Sequence, residues 1–271
     1  MARIVDVADP EDPRLAPYHA VRERDLIGRD GLFIAEGRVV IEKMAGAPGI
    51  RAESLLIAAH RLDAMADILA RLPADTPVYA AAQPVIDRIA GFAVHRGLLA
   101  TGRRIDPPDA EALLAALPPA ADVLLLSGIA NHDNMGGLFR NAAAFGVAAV
   151  LLDADCCDPL YRKAIRVSVG AALLVPFARL PRDADLPALL ATHGFRGLAL
   201  SPRGATLLAA VPPAPRTALL LGAEGPGLDA DLLRRVASVR IPMAPGFDSL
   251  NVATASGIVL HHLLATRAGD Q

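Results

Sequence analysis

Hydrophobic runs alternate with polar, glycine-rich and proline-rich stretches along the chain, and their spacing predicts strands followed by helices. The clearest run is Asp122–Ser127, a continuous apolar strand of the kind that is buried in a parallel sheet. A helix from Leu138 to Phe145, stopped by Gly146, and a strand from Val147 to Leu152 complete a βαβ unit. The same alternation continues downstream, so we predict a parallel sheet with helices on both faces.

The N-terminal part of the chain shows the same alternation with shorter elements. Its predicted strands are Phe33–Gly37, Ser54–Ala58 and Pro77–Ala80. Its predicted helices are Val21–Ile27, Arg38–Ala45, Ala64–Leu72 and Pro84–Ile89. Paired prolines flank a further helix, Ala110–Leu117, as expected of a linker. We therefore expect a small α/β domain at residues 1–105, a linker at 106–120 and a parallel-sheet domain at 121–271.

The composition is that of a globular protein, because 53% of the 271 residues are hydrophobic and 21% are charged. No apolar run reaches the ~18 residues that would span a bilayer, and the start of the chain has no apolar signal core. The only two cysteines, Cys156 and Cys157, are adjacent and cannot easily pair with each other. We expect a cytoplasmic protein with no bound metal and no membrane contact.

The formal net charge of −2 excludes a polycationic chain, so any contact with nucleic acid must come from local patches. One candidate patch lies in the N-terminal domain, where Arg22, Arg24, Arg29 and Arg38 fall within a short span. The alternative is a solvated face whose arginines are balanced by neighbouring acids.

Polar residues follow the first strand of the parallel-sheet domain. The loop and helix after that strand carry Asn134, Gly136 and Arg140. Taken alone, Asn134 is most simply interpreted as a helix cap and Arg140 as a surface charge. The two adjacent glycines, Gly136 and Gly137, lack the third glycine of the dinucleotide-binding fingerprint.

Two later stretches occupy equivalent positions after strands. Leu221–Leu228 contains three glycines and Glu224, at the strand end where open α/β sheets bind ligands. Ile241–Val252 follows another strand and ends at the start of a long apolar helix. Ser249 and Asn251 lie at the N-terminus of that helix. Taken alone, Ser249 is expected to cap that helix.

Together the three stretches resemble the motifs of the SPOUT-class RNA ribose 2′-O-methyltransferases, the TrmH/SpoU family, in the same order and at similar spacing. The matching residues are Asn134-x-Gly136-x-x-x-Arg140, Leu221-Gly222-x-Glu224-Gly225-x-Gly227, and Ile241-Pro242-Met243 followed by Ser249-Leu250-Asn251-Val252. The N-terminal domain is similar to the ribosomal-protein-like substrate-binding domain of that family, through Phe33–Gly37 and His95–Ala100. One departure is Asn131-His132, where the family often has Asp-Pro; a loop role is favoured for His132.

The resemblance implies an α/β fold: a C-terminal parallel-sheet SPOUT domain with a deep trefoil knot, preceded by the small α/β substrate-binding domain. It also implies S-adenosylmethionine as cofactor, a homodimer, and a tRNA or ribosomal RNA substrate. The catalytic residues carried over from the family are Arg140, Asn134, Glu224, Ser249 and Asn251. The cofactor-binding residues carried over are Leu221, Gly222, Gly225, Ile241, Met243 and Leu250.

The expected reaction is attack of a ribose hydroxyl on the sulfonium methyl group. Because a guanidinium stays protonated in proteins, Arg140 is expected to clamp a phosphate and stabilise the developing alkoxide; a base whose pKa falls only in the complex is the alternative. Gly222→Val is expected to weaken cofactor binding with little change in fold. Two other classes remain as alternatives: a non-catalytic RNA-binding relative and a nicotinamide-dependent doubly wound enzyme.

Overall fold

The structure is a computed structural model that describes residues 2–19, 31–94, 97–223, 225, 227–247 and 249–268. The chain forms two compact units. The first comprises Met1–Asp106 and Leu160–Leu174, and the second comprises Pro107–Pro159 and Val175–Gln271. The predicted helix Val21–Ile27 and the patch residues Arg22, Arg24 and Arg29 lie outside the described residues.

The first unit is built on a five-stranded mixed sheet with strand order β1-β4-β3-β5-β2. Its strands are β1 Arg3–Asp6, β2 Leu32–Glu36, β3 Ile50–Ala58, β4 Pro77–Ala81 and β5 Leu98–Arg104. Its helices before residue 106 are α1 Arg38–Gly46, α2 Ala66–Leu69 and α3 Gln83–Ala90. The three predicted strands are confirmed, whereas β1 and β5 were not predicted. The predicted helix Ala64–Leu72 is shorter than expected and is preceded by a 3₁₀ turn.

A segment from the middle of the chain completes the first unit. It contains α6 (Arg162–Val167) and a 3₁₀ turn, Ala171–Leu173, in which Ala164, Ile165 and all three residues of the turn are buried. The Lys43 ammonium on α1 donates a hydrogen bond to the Val169 carbonyl at 2.6 Å. Val169 has φ +53°, a conformation that is strained for a β-branched residue and persists only where the surroundings impose it.

The second unit is built on a seven-stranded sheet with strand order β10-β12-β9-β11-β6-β7-β8, and every pairing in it is parallel. Its strands are β6 Ala121–Ser127, β7 Ala149–Leu152, β8 Phe177–Arg179, β9 Arg196–Leu200, β10 Thr206–Leu207, β11 Arg216–Gly222 and β12 Ala237–Arg240. Its helices are α4 Ala110–Ala115, α5 His132–Ala144, α7 Leu186–Thr192, α8 Ala230–Arg235 and α9 Val252–Ala268. The predicted parallel sheet is therefore confirmed.

Helices cover both faces of this sheet. Apolar residues of α4, α7 and α8 pack with alternate residues of the strands in one buried cluster. Helices α5 and α9 pack together on the opposite face. The helix in the predicted linker, α4, belongs to this core: Leu114 is completely buried and Leu113 is nearly so.

The observed units differ from the predicted boundaries in two places. Residues 107–120 belong to the second unit, because α4 packs against its sheet. Residues 160–174 belong to the first unit, although they lie between β7 and β8 of the second. Hydrophobicity shows that a segment is buried but not against which sheet, so the sequence did not reveal either assignment.

Candidate active site

Helix α5 begins at the carboxyl end of β6. The side chain of Asn131 caps it, accepting hydrogen bonds from the backbone N–H groups of Asp133 at 2.7 Å and Asn134 at 3.4 Å. Asn134 therefore lies inside the first turn of the helix, where its side chain is buried, and is not itself the cap. Its side chain is free for a contact outside its own helix.

Helix α9 is capped by Asn251. The Oδ1 atom of Asn251 accepts hydrogen bonds from Ala253 N at 2.9 Å and Thr254 N at 3.3 Å. Ser249, which taken alone was the candidate cap, lies exposed in the preceding loop. Asn is as good a cap as Ser, and Asn251 stands directly before the first helical residue.

The two asparagines meet. With Oδ1 of Asn251 engaged by the helix, its Nδ2 donates a 2.8 Å hydrogen bond to Oδ1 of Asn134. This network fixes the orientation of both amides and leaves the Nδ2 donors of Asn134 without a partner among the described residues. The first and third predicted stretches therefore form one local site.

Helices α5 and α9 run parallel beyond this point. Asn141 Nδ2 donates to Ala253 O at 2.5 Å and to Ser256 Oγ at 2.9 Å. A Cβ atom on Gly137 would lie 2.7 Å from Ala253 Cβ, so only glycine permits this approach. The N-termini of both helices consequently lie side by side at the asparagine pair, and their dipoles make this point electropositive.

The glycine-rich loop after β11 folds back on itself. Ala223 and Gly227 form a β-bridge, and Gly227 N donates to Ala223 O at 3.0 Å. A Cβ atom on Gly222 would lie 2.3 Å from the Gly227 carbonyl carbon. Gly222 is thus required by the packing of its own loop. This corrects the expectation that a side chain there would leave the fold little changed.

The loop after β11 also adjoins the loop after β6, because a Cβ atom on Gly128 would approach Ala223 Cβ to 3.2 Å. The loop after β6 is held by Asp153, which accepts from Ser127 Oγ at 2.7 Å and Gly128 N at 2.9 Å. Burial alone would raise the pKa of Asp153, but these hydrogen bonds stabilise the carboxylate, and the pKa is lowered overall. Glu224 lies outside the described residues, so its catalytic role stays a prediction.

Arg140 is exposed on α5. It follows Asn134 by six residues, which places it about 9 Å further along the helix and about 240° around it. No described residue forms a hydrogen bond or ion pair with its guanidinium group. One chain therefore brings Asn134 and Asn251 together but leaves Arg140 on another side of α5.

The loop after β12 is open. Among its described residues from 241 to 250, a single backbone hydrogen bond is found, from Phe247 N to Ala244 O at 3.2 Å. Ile241 and Met243 are half-buried, and Leu250 is 40% exposed. Apolar surface beside unpaired backbone groups suits a planar ligand with an apolar face and a hydrogen-bonding edge, as an adenine ring has. Leu221, by contrast, is buried within β11.

Two other features of the second unit do not contribute to this site. A cavity of about 330 Å³ beside Asp153 contains none of the predicted residues, and arginine–aspartate ion pairs occupy its rim. Burial raises the pKa of Cys156 to about 12 and that of Cys157 to about 11, so both thiols stay protonated at neutral pH. Within the described part of the chain, no group of three or more potential ligands could hold a metal ion, and no helix could span a membrane.

Sequence reasoning missed Asn131 and Asn141. An asparagine directly before a helical pattern is a cap signal, so Asn131 could have been found. Asn141 gave no signal, because its partners lie more than a hundred residues away along the chain. His132, for which a loop role was expected, is instead half-buried at the first position of α5.

Comparison with known proteins agrees with this geometry. The SpoU rRNA Methylase family model matches residues 122–261. The chain is 43% identical to an uncharacterized tRNA/rRNA methyltransferase of Mycobacterium bovis, covering 98% of this chain and 93% of that protein. It is 32% identical to the 23S rRNA (guanosine-2′-O-)-methyltransferase RlmB of Escherichia coli K12, covering 68% of this chain and 76% of that enzyme.

Among solved structures, an AdoMet-bound rRNA methyltransferase from Sinorhizobium meliloti has the same fold. The TM-score is 0.80 at 23% identity, covering 96% of this chain and 97% of that one. The family match spans more than half of the sequence and contains all three predicted stretches. The chain therefore belongs to the SpoU rRNA methylase family.

Proposed function

We propose that the protein transfers the methyl group of S-adenosylmethionine to a ribose 2′-hydroxyl of tRNA or ribosomal RNA. The observation that carries this proposal is the Asn134–Asn251 hydrogen bond, which joins the first and third motif stretches where α5 and α9 begin. A doubly wound nicotinamide enzyme offers no reason for this pair, and family membership favours the methyltransferase.

The cofactor is proposed to lie against the open loop after β12. Ile241, Met243 and Leu250 would supply apolar contact, and backbone groups of the same loop would bind the adenine edge. The end of β11, with Leu221 and Gly222, and the loop after it, with Gly225, would form the adjoining wall by their shape. The cofactor supplies the activated methyl group; the protein supplies orientation.

Asn134 is proposed to orient the ribose through its Nδ2 donors, with Asn251 holding it in place. The electropositive helix ends would stabilise negative charge developing on the attacking oxygen. Arg140 is proposed to clamp the adjoining phosphate, since its planar fork matches phosphate geometry. Ser249 and Glu224 retain their predicted polar roles as proposals.

A homodimer would explain the position of Arg140. Ile258 is 39% exposed and Leu264 is 44% exposed, six residues apart on the outward side of α9. His261 lies between them and contacts Phe145 edge to face, with ring centroids 6.1 Å apart. A second copy packed on this outward side of α9 would cover both side chains and would give Arg140 access to a site that it cannot reach within its own chain.

The deep knot is also proposed. In the sheet β12 lies between β10 and β9, yet the chain then returns to pack α9 beside α5, β11 and the turn Leu208–Ala210. Such a return is what threading through the segment between β9 and β11 would require. A cytoplasmic location is proposed as well, supported by the two unpaired cysteines.

The test is methyl transfer by the full chain from labelled S-adenosylmethionine to tRNA and to ribosomal RNA from cells lacking the protein. Transfer with the label mapped to a 2′-oxygen is expected. RNA binding without transfer would instead indicate the non-catalytic relative. Binding of NADH with no affinity for S-adenosylmethionine would overturn the proposal.

A further inference from the structure

An exposed phenylalanine ring, Phe92, forms a cation–π contact with Arg162 in the first unit. Phe92 follows α3 and its left-handed end residue Gly91, and 41% of the side chain is exposed. The guanidinium carbon of Arg162, on α6, lies 4.6 Å from the centre of the ring. Arg162 is itself held by a 3.2 Å ion pair with Glu36, whose side chain is only 11% exposed. The ring and its cation therefore form a preorganised pair.

The surroundings of this pair are positively charged. Arg88 lies in the last turn of α3, four residues before Phe92, and Arg166 follows Arg162 by one turn of α6; both are exposed. Of the nearby acids, Glu36 is paired with Arg162. Asp87 accepts hydrogen bonds from Val94 N at 2.9 Å and Gln83 Nε2 at 2.8 Å. The exposed charged side chains of α3 and α6 are thus cationic, while these acids are occupied.

We propose that Phe92 and Arg162 form a stacking platform for an unpaired base of the RNA substrate, with Arg88 and Arg166 contacting the flanking phosphates. A lone exposed phenylalanine would be unremarkable on a protein surface. Here the aromatic face, the fixed guanidinium and the exposed cations together match a single-stranded nucleic acid, whose bases stack and whose backbone is anionic. This inference rests on the proposed function, because it assumes that the substrate is RNA.

The platform differs from the patch expected from the sequence. Of that patch, Arg38 is the residue within the described part of the chain. Its guanidinium donates to the Ala64 carbonyl and pairs with Asp67 at 2.7 Å, so it is engaged in local structure. The platform also uses Arg162, which is distant in sequence from the N-terminal domain and joins the first unit only in the fold.

The absence of tryptophan from the chain allows a direct test. Phe92→Trp introduces a single tryptophan at the platform. Ile105→Trp places a matched one beyond the opposite end of β5, at a residue that is 43% exposed. Each full-length variant is titrated with a single-stranded oligoadenylate of about ten nucleotides. We expect saturable quenching at position 92 and none at position 105, because a stacked base quenches indole emission. Binding measured by anisotropy without quenching at position 92 would overturn the inference.

Kinetics supply the second readout. Phe92→Ala should raise the KM for RNA about tenfold, the effect of losing one stacked base, while the affinity for S-adenosylmethionine and the unfolding midpoint stay unchanged. Ile105→Ala is the control and should change none of these. Arg88→Gln and Arg166→Gln should each lower the salt dependence of RNA binding by about one ion, and Arg51→Gln, at the other end of the sheet, should not.

The outcomes separate this inference from the proposed function. Methyl transfer by the wild type with an unchanged KM in Phe92→Ala would overturn the platform and leave the methyltransferase intact. Quenching and RNA binding without any methyl transfer would uphold the platform and reject the catalytic proposal. If the fluorescence of Phe92→Trp changes when a protein partner is added and does not change with RNA, the inference would be overturned as well.

Discussion

Two glycine-containing loops of the second unit follow parallel strands, and both resemble cofactor-binding motifs, yet they differ in structure. The loop after β11 is closed by its own bridge between Ala223 and Gly227, and its first glycine touches its own backbone. The loop after β12 has one internal backbone bond among its described residues and leaves apolar side chains half-exposed. A glycine in a binding motif can therefore stabilise its own loop. A loop whose exposed backbone groups form few hydrogen bonds within the protein can offer those groups to a ligand.

The largest expected effect comes from filling the closed loop. Gly222→Val would force the Gly227–Leu228 backbone to move, since even a Cβ atom would lie 2.3 Å away. We expect a loss of about 3 kcal/mol in the free energy of unfolding, together with loss of cofactor binding. Chemical denaturation and titration calorimetry on the same sample measure both. Weakened binding at an unchanged unfolding midpoint would show that the valine meets the ligand and not the loop.

The next effect concerns Asn251, where the open loop ends. Asn251→Asp keeps the oxygen that caps α9 but removes the amide that donates to Asn134. We expect methyl transfer to fall about 100-fold, in the range seen when one oriented donor in an active site is lost, with stability preserved. Asn251→Ala removes the cap too and should cost about 1 kcal/mol more. Equal stability of the two variants would contradict the assignment of the cap.

Much of this arrangement could be predicted from the sequence. The continuous apolar runs of β6 and β11 predicted a buried parallel sheet, and the polar residues after them predicted where a site would form. The family resemblance connected Asn134 with Asn251 across more than a hundred residues, and family membership is confirmed.

The rest depended on tertiary contacts. Gly222 faces its own loop because Gly227 packs against it. The sequence shows only a glycine at this position and does not show whether a ligand or the loop lies beside it. Asn131 caps α5 in place of Asn134, and Asn251 caps α9 in place of Ser249. These assignments depend on where each helix begins, and helix boundaries are the least certain part of a sequence pattern. The inclusion of residues 160–174 in the first unit has a practical consequence. Deleting residues 1–105 would expose Ala164 and Ile165, which are buried in the full chain. A loss of RNA binding by the truncated protein could therefore come from this exposure and would not test the N-terminal domain alone.

A smaller effect is expected from the apolar side of the open loop. Leu250→Ala should weaken S-adenosylmethionine binding about fivefold, equivalent to roughly 1 kcal/mol of lost apolar contact. The unfolding midpoint should not move, because Leu250 is already 40% exposed without ligand. Phe247→Ala, at a side chain 68% exposed, is the control for nonspecific effects. If Phe247→Ala weakens binding more than Leu250→Ala, the adenine lies further along the loop.

An effect of similar size is expected at Gly246, which tests whether the open loop has its bound shape before the cofactor arrives. Gly246 has φ +83°, and a Cβ atom there would have nothing within 4 Å. The side chain of Gly246→Ala therefore has room, and its only cost is the left-handed backbone, about 1 kcal/mol. Because few bonds hold the loop, we expect it to relax to another backbone conformation, so that stability hardly changes. Cofactor binding would then have to restore the left-handed conformation, so the cost of about 1 kcal/mol would appear in binding and not in folding. The affinity for the cofactor should therefore fall about fivefold. Loss of stability with unchanged affinity would mean instead that the loop is rigid in the free protein, and the contrast between the closed and open loops would fail.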